Sequence, residues 1–172
     1  MKKLIKTIVF LGSLLLLLTS SSCDNDDIET GDHSFSCYIN GQLFVPKGST
    51  NLISTSPSND GLSFKEFNND LDLVIEVDNS NNKMVIYIKY YTSKNEFSLQ
   101  NSNGIINYPF NSPETSVVLM FNNKKYISKI GSGTIIFTEA SEVNIEGTFG
   151  FVLYNVDDEN DRIRVTKGKF NA

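Results

Sequence analysis

The segment LDLVIEVDNSNNKMVIYIKYY, residues 71 to 91, carries the side chains best suited to chemistry. Period-two alternation places Asp72, Val74, Glu76 and Asp78 on one side of its first arm, with Leu71, Leu73, Ile75 and Val77 on the other. In the second arm the same rule sets Val85, Tyr87, Lys89 and Tyr91 outward and Met84, Ile86, Ile88 and Tyr90 inward. Tyr87 and Tyr91 beside Asp72, Glu76 and Lys89 would make a ligand-binding platform, because a phenol offers an apolar face for a sugar ring and a polar tip. The same residues equally suit cross-strand aromatic, aliphatic and ion pairs that stabilise a sheet face without any ligand. Asp72 and Glu76 also form a carboxylate pair for hydrolysis, which would require a concave, partly desolvated site. On one strand face with no evident cleft they do not meet that requirement, and the chain reads as non-enzymatic.

Other candidate groups support less chemistry. His33 is the single histidine, no nucleophile-elbow sequence accompanies it, and zinc sites of the His/Cys kind are excluded by the count. The run NVDDENDR holds Asp157, Asp158, Glu159 and Asp161, enough hard oxygen donors for a calcium ion. It lacks the D-x-D-x-D-G spacing and the distal bidentate glutamate, so it reads first as a polar hairpin loop. Cys37 occupies an apolar position in FSCYI, which suits a buried, inert thiol. No cofactor is implied.

The elements that must position these residues are strands. From Ser34 onward the apolar runs alternate with period two and are rich in Val, Ile, Thr, Tyr and Phe. Phe35, Cys37 and Ile39 share a face, Asn40-Gly41 suits a type I′ turn, and Pro46 ends the next strand or sets it at an edge. Further strands are expected at 62–67, 97–100, 116–121, 124–129, 133–138, 142–154 and 162–170. Their even spacing predicts one all-β domain over 34–172, an antiparallel β-sandwich or open β-barrel. Ile145, Phe149, Phe151 and Leu153 form one apolar face, with Gly147 where a bulge or close approach needs no side chain. Ile163 and Val165 could pair opposite, and Gly168 would let the last strand bend so that Phe170 returns to the core.

Ahead of this domain the composition changes. Lys2, Lys3 and Lys6 precede an apolar run from Ile8 to Leu18, too short for the roughly 20 residues of a spanning helix. Residues 1–22 therefore read as an export signal. The small residues Thr19-Ser20-Ser21-Ser22 leading into Cys23 resemble a bacterial lipobox, in which cleavage precedes the cysteine and its sulfur carries a diacylglycerol. Ser20 departs from the leucine common at that place, and the alternative is ordinary secretory cleavage that leaves Cys23 a free thiol. Residues 23–33 then comprise the lipidated cysteine and an acidic tether, DNDDIETGD, whose charges repel one another into an extended chain. From Asp24 to Ser34 it would reach at most about 36 Å.

Removing the three leader lysines moves the formal charge from −5 to −8. Nucleic acid is accordingly an unsuitable partner, since a duplex binder needs a basic footprint. The basic clusters are short: Lys124-Lys125, and Arg162 and Arg164 followed by Lys167 and Lys169.

Three motifs, CYINGQLF near the start, I-x-G-T-F-x-F at 145–151 and V-T-x-G-x-F at 165–170, resemble a family of small Bacteroidota lipoproteins of unknown function. The resemblance covers residues 33–50 and 131–171 and implies a shared fold more than a shared site. It also implies that the acids behind Cys23 act as the label for the outer face of the outer membrane. Enterobacterial sorting would instead read Asp24 as inner-membrane retention. The function expected is a lipid-anchored, cell-surface module that binds a glycan, a protein or an envelope component. The alternative is a periplasm-facing carrier with a small apolar ligand in a barrel cavity.

Overall fold

Short turns set the register of the sheet. Asn40 and Gly41, at φ 49° and 82°, join Ile39 to Gln42, and Asn122 and Asn123, at φ 51° and 62°, join Phe121 to Lys124. Both are two-residue connections with both central residues left-handed, the geometry that matches the twist of a hairpin. The computed structural model describes residues 34–47, 61–67, 72–93, 95–106, 114–141 and 144–172. The leader, Cys23, the acidic tether and Leu71 lie outside them.

Among the described residues eleven strands follow in order: β1 Ser34–Ile39, β2 Gln42–Phe44, β3 Leu62–Phe67, β4 Asp72–Asn79, β5 Asn82–Ile88, β6 Glu96–Ser98, β7 Ser116–Phe121, β8 Lys124–Ile127, β9 Gly133–Ala140, β10 Ile145–Asn155 and β11 Arg162–Asn171. All pair antiparallel in one sheet, ordered β2-β1-β11-β10-β8-β7-β5-β4-β3. The sheet curls into a half-barrel, so the described residues form the single all-β domain that the alternating runs predict. Pro46 follows β2, which lies at one end of this order, as a residue without an N–H donor requires. Among the described residues no helix is long and apolar enough to cross a membrane.

The curl turns on β10. Along one side this strand pairs with β11 throughout. On its other side Ile145–Phe151 pair with β9, and Tyr154 and Asn155 pair with β8. At the change of partner, the amide of Val152 donates to the carbonyl of Ser132 at 2.8 Å. A strand that holds two successive partners on one edge directs them apart, and the twist of each then closes the sheet around its concave face. β6 continues the smaller branch by pairing with β9.

Inside the curl lies the core: Phe35, Cys37, Ile39, Leu73, Ile75, Ile86, Leu119, Phe137, Phe149, Phe151, Leu153 and Phe170 are all buried within it. Its centre is a pair of reciprocal contacts between β10 and β11. Gly147 pairs with Phe170, and Phe149 pairs with Gly168. Each phenylalanine ring lies over the glycine of the other strand. A Cβ on Gly168 would stand 2.3 Å from the Phe149 ring, and one on Gly147 would stand 2.4 Å from Phe170 and 2.6 Å from the carbonyl of Ile136. Phe149 then stacks on Phe35 at 5.2 Å and on Phe151 at 5.3 Å, while Phe170 meets Phe137 edge-on at 5.4 Å.

The bend expected at Gly168 falls one residue earlier. Val165 pairs with Phe151 and Gly168 with Phe149, so β11 carries an extra residue there, and Lys167 takes φ 50°. The bulge keeps both Val165 and Gly168 facing inward, which simple alternation would forbid.

These contacts separate two glycines of β10. Gly147→Ala meets a backbone carbonyl that cannot move aside, and should destabilise the protein by about 1–3 kcal/mol. Gly150, where an added Cβ meets only a carbonyl at 3.8 Å, should accept alanine with no loss. Thermal unfolding followed by circular dichroism would check this; equal melting temperatures for the two variants would contradict the interlock.

Candidate functional site

The outward face of β3, β4, β5 and β7 is built from cross-strand rows. Lys65, Val74, Tyr87 and Ser116 form one, and Ser63, Glu76, Val85 and Val118 the next. Asp72, the first residue of β4, is 1% exposed. Its carboxylate accepts a hydrogen bond from the Tyr87 hydroxyl at 2.7 Å and another from the Tyr90 amide at 3.1 Å. Glu76 is held by Lys65 at 3.3 Å and Lys83 at 3.5 Å. Asp72 and Glu76 thus stand about 13 Å apart along the strand, each engaged by other groups. They do not converge on a common point, and hydrolysis by this pair has no geometric support.

The tyrosine platform is corrected by the structure. β5 ends at Ile88, and Tyr90 turns the chain at φ 53° into a single 3-10 turn, Tyr91–Ser93. That turn breaks the alternation, so the expected places of the last two tyrosines are exchanged. Tyr91 enters the core against Phe137 and donates its hydroxyl to Glu66, whereas Tyr90 is 48% exposed. The Lys89 ammonium sits 5.2 Å from the centre of the Tyr90 ring, and the Lys89 amide donates to Thr115 Oγ1.

Tyr87 does stay on the outward face, but it is buried there. With Val74 and Val85 it forms a second small apolar cluster, against which Phe67 and Ile106 pack. The segment around Ser102, Asn103 and Ile105 lies over it and leaves a cavity of about 10 Å³. That is room for one water molecule and far below the volume of a sugar ring. The outward valines Val74, Val85 and Val118 were a legible signal of this cover, since a strand buried on both faces loses its polar alternation.

The acidic loop is also occupied internally. Asp161 accepts from the Lys124 ammonium at 2.7 Å, the Asn155 amide at 2.9 Å and the Tyr126 hydroxyl at 3.1 Å. The bonds from Lys124 and then Asn155 hold its carboxyl below the usual range. Glu159 pairs with Lys129 at 2.6 Å, and Asp158 accepts from the Asn160 amide. Asp157, Asp158 and Asp161 do not converge: among the described residues no group of three His, Cys, Asp or Glu side chains is placed to hold a metal ion. Cys37 is fully buried, and desolvation pushes its thiol up to about 12, which leaves it protonated and unreactive at neutral pH.

A surface that the hairpin reading missed lies on β11. Its outward residues Arg162, Arg164 and Lys167 are exposed, and two tyrosine rings flank them. Arg162 lies 5.1 Å from the Tyr154 ring centre and Lys167 5.8 Å from that of Tyr38. The basic alternation was visible in the sequence. The neighbouring tyrosines come from β1 and β10 and were not.

No family model matches the chain, and no curated protein or solved structure does.

Burial, and then the hydrogen bond to Asp72, raise the Tyr87 phenol above its ordinary value. The neutral phenol is therefore favoured by folding. Its contribution is fully present below the unfolded tyrosine value near 10 and is lost as pH rises through the higher folded value. Tyr87→Phe leaves a buried carboxylate short of a donor and should cost about 1–3 kcal/mol in denaturant unfolding at neutral pH. The same variant should lose less stability than the parent between neutral and strongly alkaline pH. An unchanged denaturation midpoint would show that Asp72 does not depend on Tyr87.

Proposed function

We propose that the protein is a non-enzymatic binding module held by a lipid on Cys23 at the outer face of an outer membrane. The observation that carries this reading is Cys23 itself, which stands directly behind an export leader and ahead of a run of acids. The acids would extend the tether and be repelled by an anionic bilayer, holding the β domain away from the membrane. The resemblance of the two ends of the chain to Bacteroidota lipoproteins supports the same location.

The geometry favours recognition at the surface over a ligand carried inside. A carrier requires a vacated interior, whereas the described interior is filled by phenylalanine rings in mutual contact. The carboxylates that could have served catalysis are engaged in holding the sheet. What remains available is the exposed outward face, and this is where a partner, whether glycan, protein or envelope component, would be met.

Thiol counting tests the anchor. The chain has two cysteines, and Cys37 is buried and protonated. Protein extracted from membranes should show no thiol reactive toward a disulfide reagent while folded, and only Cys37 after denaturation. A second reactive thiol would mean that Cys23 carries no lipid. Proteinase added to intact cells tests the location: digestion is expected, and protection until lysis would place the domain in the periplasm.

A further inference from the structure

We infer that the outward face of β11, with Tyr38 and Tyr154 beside it, docks a linear acidic polysaccharide. This rests on the surface-module reading and names the ligand class for it.

The charge on this strand is not explained by the needs of the sheet. β11 lies between β1 and β10, so its cations do not protect an exposed edge from pairing. No acid stands opposite them either: Arg164 pairs with Val152 and Arg162 with Tyr154. A face arranged only for cross-strand stability would set opposite charges against each other. Four lysines outside β11, Lys65, Lys83, Lys124 and Lys129, each do meet a carboxylate. Among the described residues Arg162, Arg164 and Lys167 form no ion pair. This positive strip persists in a chain whose formal charge is −5 with its leader and −8 without it.

The strip is also held in place. Alternation puts Arg162 and Arg164 about 7 Å apart, and the bulge adds Lys167 to the same face while Val165 and Gly168 stay inward. Attraction to the ring quadrupoles fixes Arg162 over Tyr154 and Lys167 over Tyr38. The Arg162 Nε–H also donates to the carbonyl of Glu159 at 3.2 Å. Side chains held this way lose less freedom when an anion arrives. Beside them Tyr38 adjoins Leu43, 46% exposed, which offers an apolar surface for the carbon face of a sugar.

The shape selects among polyanions. The cations run about 15 Å in a row one strand wide. Glu159, with Asp157 and Asp158, bounds one end, and Glu146 paired with Glu139 lies beyond the other. A planar bilayer or a nucleic acid duplex pressed on this face would also meet those acids. A single flexible chain with carboxylate or sulfate groups can follow the row between them.

The full chain carrying Cys23→Ala, which removes any acyl contribution, should be titrated with polygalacturonate and chondroitin sulfate. Dextran, phosphatidylglycerol vesicles and a thymidine 20-mer serve as the other arms. At least one acidic polysaccharide should bind, with affinity falling about tenfold or more between 50 and 200 mM salt, as counterion release requires of a polyanion. Arg164→Gln with Lys167→Gln should weaken that binding at least tenfold, whereas Lys47→Gln with Lys65→Gln, the same charge change away from β11, should not. These are exposed side chains, and matching melting curves would establish that both variants fold. Binding insensitive to the β11 substitutions, equal loss in the control, tighter β11-dependent binding of vesicles or the 20-mer, or no binding of either acidic polysaccharide would each overturn the inference. None of those results bears on the anchor, which the thiol count and the cell-surface digestion decide separately.

Discussion

The reciprocal contact between two phenylalanines and two glycines is the constraint on which the rest of this structure depends. Phe149 lies over Gly168 and Phe170 over Gly147, each ring occupying space that any other residue would fill with its own Cβ. Because each ring occupies the space beside the opposite glycine, β10 and β11 keep their pairing with both rings on the concave side. Phe35, Phe137 and Phe151 can then reach the same aromatic cluster. Aromatic pairs of this kind contribute about 0.5–1.5 kcal/mol each beyond their buried area. The register of β1, β9, β10 and β11 is tied together at this point.

From that interlock the two faces of the half-barrel acquire different roles. The concave side is filled. On the convex side, the segment around Ser102–Ile105 covers the outward face of β5 and β7, where Asp72 and Tyr87 satisfy each other. On the outward face of β11, Arg162 and Lys167 lie beside the Tyr154 and Tyr38 rings without, among the described residues, a direct ion pair to a carboxylate. The bulge at Lys167 links the two sides: one extra residue preserves the inward placement of Gly168 and at the same time adds a cation to the convex face.

Much of the fold was legible in the residues. The strands at Leu62–Phe67 and Ser116–Phe121 match the alternating runs at both ends, and the Asn40-Gly41 turn lies where two left-handed positions were needed. Gly147 was legible as a place of close approach because a glycine on an apolar face has few other uses. Alternation failed at Tyr90 and Tyr91. Period two holds only while the chain remains a strand, and a single left-handed residue at Tyr90 sufficed to exchange an exposed ring for a buried one. The expected outward placement of Tyr91 was lost for that local reason, and the cover over Tyr87 comes from a segment about fifteen residues away along the chain.

The sequence by itself determined the strand character, the tight asparagine turns and the inert setting of Cys37. Each follows from composition or from spacing over a few residues, and local sterics and solvation act at that range. Only the tertiary structure decided that β10 divides its edge between β9 and β8, and that Asp72 accepts hydrogen bonds from Tyr87 and the Tyr90 amide. It alone brought Tyr38 and Tyr154, 116 residues apart in the chain, to the two sides of one basic strand. Pairing between distant strands is set by how the whole apolar face closes on itself, and no local pattern carries that information.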